Sequence, residues 1–188
     1  MSKIIKGGLL GGIVLFIWGA ISWTVLPWHT KTLHQFSQES AVEVALANNA
    51  PHPGIYILPN PDGGKKGASG KEKEIRMKVT QEKMQKGPFA FVAMSPQGLG
   101  PMSRHLFIAI LIQVLTAGLM TWLLIKTENL RYFEKVGFVV IFSLAASIFC
   151  ELPNWNWWGF QTDFVLVTVL DHLVSGFLAG LVLAKITS

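Results

Sequence analysis

Four long apolar stretches alternate with polar segments along the chain, and they determine the predicted architecture. The first stretch lies within residues 1–28, and the others lie within residues 104–126, 135–152 and 164–185. About twenty apolar residues in a helix cross roughly 30 Å of hydrocarbon. The pattern therefore predicts an all-α integral membrane protein in which four transmembrane helices form a bundle.

The segment between the first two spans, residues 29–103, is too polar and too rich in Gly, Pro, Asn and Lys to cross a membrane. It must therefore lie on one side. A short amphipathic helix is predicted to begin at Ser37 and to end before Pro51, because Asn48 and Asn49 precede that proline.

Three stretches of this segment have the composition or the alternation of β-strands. They are residues 54–59, 74–80 and 88–94, and the second alternates apolar and polar positions. We therefore expect a small α+β lobe inserted between helices 1 and 2. The predicted domains are transmembrane helix 1 (1–28), the lobe (29–103) and transmembrane helices 2–4 (104–188).

The first apolar stretch has a competing interpretation as a cleaved signal peptide. Lys3 and Lys6 precede it, and Ala20-Ile21-Ser22 resembles a small-residue cleavage site. The apolar run nevertheless continues through Trp23 to Leu26. We therefore favour an uncleaved first span.

The basic residues predict an orientation for the four spans. Outside the long polar segment and its edge at Arg104, the basic residues are Lys3, Lys6, Lys126, Arg131, Lys135 and Lys185. Four crossings place all six on one side, and the loop 153–163 has none. The positive-inside rule then predicts a multi-pass protein of the inner (plasma) membrane, with both termini cytoplasmic and the lobe extracytoplasmic.

Composition supports the membrane class and narrows the possible partners. Hydrophobic residues make up 51% of the chain and charged residues 14%, which is more apolar surface than a small soluble domain can bury. The net charge is +5, but no nucleic-acid motif accompanies the basic residues. We therefore predict the lipid bilayer, and not nucleic acid, as a partner. The single cysteine, Cys150, excludes an intramolecular disulfide.

The fourth span carries two ionisable residues at membrane depth, Asp171 and His172. Asp171 lies about 10 Å from Phe164 at about 1.5 Å per residue, and a carboxylate at such depth costs some 2.5–3.5 kcal/mol on insertion scales. It therefore needs a partner, which is either an external subunit or one of the polar residues of the later spans. Those residues are His172, Gln113, Thr116, Ser143 and Ser147. We predict an intramembrane polar cluster that consists of Asp171, His172, Gln113, Ser147 and Ser175.

This cluster has two interpretations. One is a proton or cation pathway, in which the imidazole of His172 shares a proton with Asp171. The other is a hydrogen-bonded clasp that fixes the register of the helices. The sequence favours the clasp, because the inner half of the same helix face offers only Ser175, Gly176 and Ala179 as stepping stones.

Histidines could also bind a cofactor or a metal. His172 is followed one turn later by Gly176, which leaves room for a flat tetrapyrrole ring. Copper or zinc could use the histidines on the outer side or its boundary, which are His29, His34, His52 and His105. Their spacing matches no metal-site pattern. We therefore predict neither a cofactor nor a metal site.

Small and aromatic residues indicate packing surfaces. The glycine pairs predicted to pack helices closely are Gly8 with Gly12 and Gly176 with Gly180. The aromatic residues predicted to lie at the outer interface are Trp28, Trp155, Trp157 and Trp158. Packing within the chain is favoured over packing between chains for the first glycine pair.

The sequence contains no nucleophile elbow, phosphate loop or paired-histidine metal helix. We therefore predict that the protein is not an enzyme. The favoured hypothesis is an accessory or structural subunit of a larger membrane protein complex, with other membrane subunits as partners. The alternative is a small proton- or ion-conducting transporter or channel that uses the Asp171/His172 pair.

Overall fold

The computed structural model describes residues 2–60, 70–127 and 129–188. In chain order its elements are α1 (Lys3–Thr24), a 3₁₀ turn (Thr30–Thr32), α2 (Glu39–Asn49), β1 (Gly54–Leu58), α3 (Gly70–Lys86), β2 (Ala90–Met94), α4 (Met102–Ile125), α5 (Tyr132–Trp158) and α6 (Thr162–Thr187). They form two compact units. The helical unit comprises residues 1–34, 100–155 and 160–188, and the small unit comprises residues 35–99 and 156–159.

Within the described residues, four helices are long and apolar enough to cross a membrane, namely α1, α4, α5 and α6. The shortest has 22 residues, which corresponds to about 33 Å at 1.5 Å per residue. The prediction of a multi-pass membrane protein with four apolar helices is therefore confirmed. Many of their large apolar side chains are exposed, as expected where lipid is the solvent.

The third span is longer than predicted. The sequence indicates a span over 135–152 followed by a tryptophan-rich turn, but α5 continues through Pro153 to Trp158. Proline removes one backbone donor from the helix, and the side chain of Asn154 donates locally to the Cys150 carbonyl at 3.1 Å. The helix ends at Trp158, and the φ of 70° at Gly159 suits the left-handed position after a helix.

Helix α1 approaches α4 closely because glycines line the contact. A Cβ placed on Gly12 would lie 2.7 Å from the Cα atom of Val114, and one on Gly8 would lie 3.2 Å from the Val114 carbonyl oxygen. Gly11 faces Leu183 of α6 in the same way. Backbones can approach this closely only where side chains are absent.

The second predicted glycine pair lies between α6 and α5. Gly180 faces the backbone of Val136, and Gly176 faces the side chain of Ser143. Tyr132 also donates its hydroxyl proton to the Leu181 carbonyl at 2.9 Å. Both glycine pairs are therefore occupied by contacts within the chain.

Both chain ends lie at one end of the helical unit. Lys3 Nζ donates to the carbonyl oxygens of Thr187 at 3.3 Å and Ser188 at 3.2 Å. Lys135 Nζ, which is buried, donates to the Thr187 carbonyl at 2.9 Å. The first turn of α1, the first turn of α5 and the last turn of α6 therefore meet there.

In the small unit, β1 and β2 form an antiparallel two-stranded sheet in which Tyr56 pairs with Val92. The strand predicted over 74–80 is wrong, because these residues lie within helix α3. Its Glu, Lys, Arg, Met and Gln residues favour helix, and Glu74 pairs with Lys78 one turn later at 3.1 Å. The alternating Ile75, Met77 and Val79 are exposed.

We expect Gly12→Ala to destabilise the protein, whereas Gly19→Ala should have little effect. The new Cβ on residue 12 meets the Val114 backbone, but nothing lies within 4 Å of the corresponding position on residue 19. Overpacking of this kind costs about 1–3 kcal/mol. Thermal denaturation in detergent micelles measures the difference, and equal melting temperatures for the two variants would contradict the close α1–α4 contact.

Candidate functional site

The carboxylate of Asp171 is held by two donors from the first quarter of the chain. Trp18 donates its indole N–H to Oδ1 at 2.6 Å, and His29 Nε2 lies 3.3 Å from Oδ2. Asp171 is 7% exposed and His29 is 1% exposed. The contacts join α6 to α1 and to the segment that follows α1.

His29 is enclosed by residues from the end of α1. Its Nε2 atom also lies 3.1 Å from Ser22 Oγ, and Trp28 donates its indole N–H to that same oxygen at 3.0 Å. The Trp23 ring stacks on the imidazole with centroids 4.0 Å apart, and the Trp28 ring meets it edge-on. We call Trp18, Ser22, Trp28, His29 and Asp171 the Asp171 clasp.

The clasp offsets the cost of placing a carboxylate in hydrocarbon. With a proton on Nε2, His29 donates to Asp171 in either protonation state. A protonated ring would add an ion pair and a cation–π contact with the stacked Trp23. His29 Nδ1 is buried without a hydrogen-bond partner among the described residues. The arrangement therefore fixes helices to one another and leaves neither carboxylate oxygen free.

His172 lies beside a different set of groups. Its Nδ1 atom is 2.9 Å from Ser147 Oγ, and Ser147 donates to the Ser143 carbonyl at 2.8 Å. His172 and Ser147 line a cavity of about 300 Å³ between α1, α4, α5 and α6. The other lining residues are Leu15, Ile112, Gln113, Thr116, Met120, Ser143, Ala146, Cys150, Ser175 and Gly176.

The five residues of the predicted polar cluster thus fall into two places. His172, Gln113, Ser147 and Ser175 share the cavity, whereas Asp171 belongs to the clasp. Successive residues on a helix point about 100° apart, so Asp171 and His172 turn toward different neighbours. The sequence predicts that Asp171 bonds to His172, Gln113 or another polar residue of the later spans. In the structure Asp171 bonds to Trp18 and His29 instead.

Sequence reasoning placed His29 on the outer side and did not connect it with Asp171. One signal for the clasp was available. Trp18 lies inside an apolar span, where an indole N–H needs an acceptor, and Ser22 follows it one turn later. These two positions mark a polar face on α1 that requires a partner on another helix.

The four predicted interface tryptophans have different surroundings. Trp28 belongs to the clasp, and Trp155 donates its indole N–H to Thr162 Oγ1 at 3.1 Å. Trp157 is 71% exposed, and Trp158 packs on Phe91 with ring centroids 5.0 Å apart.

Across residues 2–60, 70–127 and 129–188, no three His, Cys, Asp or Glu side chains gather closely enough to hold a metal ion. Comparison of the chain with known protein families, with curated proteins and with solved structures found no match. The candidate site therefore has to be interpreted from its own geometry.

We expect Asp171→Asn to lower the free energy of unfolding by about 1–3 kcal/mol, because asparagine offers one acceptor oxygen in place of two and leaves a buried donor of Trp18 or His29 without a partner. Asp163→Asn is the matched control, since Asp163 is exposed and, within the described residues, its side chain bonds only to the next backbone N–H. Chemical denaturation of both variants in detergent checks this. Similar stabilities for the two variants would show that the clasp does not hold the helices.

Proposed function

We propose that this chain is a non-enzymatic protein of the inner membrane that serves as an accessory or structural subunit of a larger membrane protein complex. The observation that carries the proposal is the Asp171 clasp. The costliest ionisable group in the spans has one oxygen bonded to Trp18 and the other to His29. Its role is to join helices, which is a structural role and not a chemical one.

The exposed side of α5 supports a partner helix. Ile141, Ala145, Ile148 and Leu152 are all exposed, and their spacing is i, i+4, i+7 and i+11. This is the spacing of the seam between two helices that pack with a left-handed twist, which is common in membranes. The small Ala145 lies within this seam, where a knob from the neighbouring helix fits. The proposed occupant is therefore an apolar transmembrane helix of another subunit.

Native gel electrophoresis after extraction with a mild detergent such as digitonin tests the proposal. We expect the wild-type chain to migrate in a complex larger than the 20.7 kDa chain with its micelle. Ala145→Phe should release the chain from that complex by filling the seam. Ala20→Phe is the matched control, because Ala20 is also exposed but lies on α1. A monomer at every detergent strength would contradict the proposal.

The transporter alternative has weaker support. It requires Asp171 and His172 to act together, but Asp171 bonds to Trp18 and His29, whereas His172 bonds to Ser147. A proton that moved from Asp171 to His172 would have to leave the carboxylate, which bonds to Trp18 and His29. It would then have to reach the imidazole on a different face of α6. Proton flux into liposomes that contain only this chain, above the flux into empty liposomes, would favour the alternative.

We further propose that both termini are cytoplasmic and that residues 35–99 are extracytoplasmic. The support is the position of Lys3 and Lys135 beside the end of α6. Lys6, Lys126, Arg131 and Lys185 also belong to helix ends or to the short connection on that side. Basic residues near helix ends favour the cytoplasmic side.

Single cysteines introduced in a Cys150→Ala background test this orientation. A membrane-impermeant maleimide applied to intact spheroplasts should label Ser37→Cys and should label Ser188→Cys only after lysis. Labelling of Ser188→Cys before lysis, with Ser37→Cys protected, would reverse the proposed orientation.

A further inference from the structure

Four residues that line the cavity beside His172 carry polar groups with no hydrogen-bond partner in the part of the chain that the structure describes. The groups are the Nε2 atom of His172, the side-chain amide of Gln113, and the hydroxyls of Thr116 and Ser175. A polar group in hydrocarbon is costly unless it is hydrogen-bonded. Their convergence on one cavity therefore indicates a ligand that supplies the missing partners.

The hydrogen bonds of Ser147 determine what His172 offers to such a ligand. The Ser147 hydroxyl has one proton, and the Ser143 carbonyl at 2.8 Å accepts it. Ser147 Oγ then accepts a hydrogen bond from an N–H at His172 Nδ1 over 2.9 Å. In a neutral imidazole this leaves Nε2 as an acceptor. The complementary group on the ligand is a hydroxyl.

The depth of the cavity restricts how a ligand reaches it. At about 1.5 Å per residue, Gln113 lies about 17 Å from the start of α4 and His172 about 15 Å from the start of α6. Both positions are near the middle of a hydrocarbon layer of about 30 Å. Charged phospholipid headgroups do not lie at that depth. An uncharged molecule that is soluble in lipid does.

The rim and lining of the cavity fit the same kind of molecule. Ile112 on α4 and Ala146 and Cys150 on α5 are lining residues that are also exposed, so the cavity opens toward lipid between these helices. Leu15 and Met120 supply buried apolar surface. A volume of about 300 Å³ is at the lower end for ligand pockets, which suits a single ring whose tail remains in the bilayer.

We infer that this cavity binds the headgroup of a quinol-type lipid, an uncharged hydroxylated ring with an apolar tail. A ring hydroxyl donates to His172 Nε2, and an oxygen across the ring accepts from the side-chain amide of Gln113. The inference goes beyond the proposed subunit role and does not depend on it, because the binding residues lie within the single chain.

Binding of a decyl-tailed benzoquinol to the full chain in phosphatidylcholine nanodiscs tests the inference. Isothermal titration under anaerobic conditions should give saturable binding of one molecule per chain. His172→Phe and Gln113→Leu should each weaken binding about tenfold, the factor expected for about one lost hydrogen bond. His34→Gln, at an exposed histidine outside the cavity, should leave affinity unchanged.

Two further probes make the test specific. The corresponding decyl-tailed benzoquinone has no hydroxyl to donate and should bind more weakly than the quinol, while 1-decanol should bind without saturation. Absence of saturable quinol binding would overturn the inference. Equal affinity in the wild-type chain, His172→Phe and Gln113→Leu would do the same. Gln113→Leu keeps the test decisive if His172→Phe does not fold, because Gln113 makes no hydrogen bond within the described chain.

Discussion

The need to satisfy one carboxylate at membrane depth dominates the structure of the helical unit. Asp171 cannot remain in hydrocarbon without donors, and both of its oxygens find them in residues that precede it by more than 140 positions. One donor lies on α1 and the other lies just after α1 ends. The chain beyond α1 must therefore fold back against the unit, which is why His29 is buried even though it lies outside every helix that could span the membrane.

Close helix packing makes these hydrogen bonds possible. The backbone of α1 approaches α4 at Gly12 and the side chain of Leu183 in α6 at Gly11. Larger residues there would hold the helices apart and lengthen the distance from Trp18 to Asp171. The glycines and the carboxylate are thus two parts of one arrangement, in which small residues set the separation of the helices and the clasp sets their register.

The clasp also determines which polar side chains of α6 remain available for function. Because Asp171 turns toward α1, the next residue turns toward α5, where Ser147 fixes the His172 ring beside a cavity. The adjacent residues therefore belong to two sites with different chemistry. In one site both carboxylate oxygens accept hydrogen bonds. The other site is open toward lipid and has polar groups without a partner among the described residues.

The sequence predicted those features that depend on local pattern. The four spans follow from the length of their apolar runs, and the small-residue contacts follow from glycines spaced one turn apart. The continuation of α5 past Pro153 and the helical state of 74–80 were not predicted, because a proline and a short alternation were given more weight than the helix formers around them. The bonds from Trp18 and His29 to Asp171 depend on how distant segments meet. In the sequence, only the isolated polar positions on α1 indicate that such bonds exist.

The most direct test of the clasp is a proton–nitrogen correlation NMR spectrum of the tryptophan indoles in detergent micelles. The Trp18 signal is assigned by comparison with Trp18→Phe. An indole N–H that donates to a carboxylate at 2.6 Å should give a proton resonance shifted strongly downfield. Asp171→Asn should move that resonance upfield and leave the Trp155 indole, which donates to Thr162, unchanged. A Trp18 resonance that does not respond to Asp171→Asn would contradict the central claim.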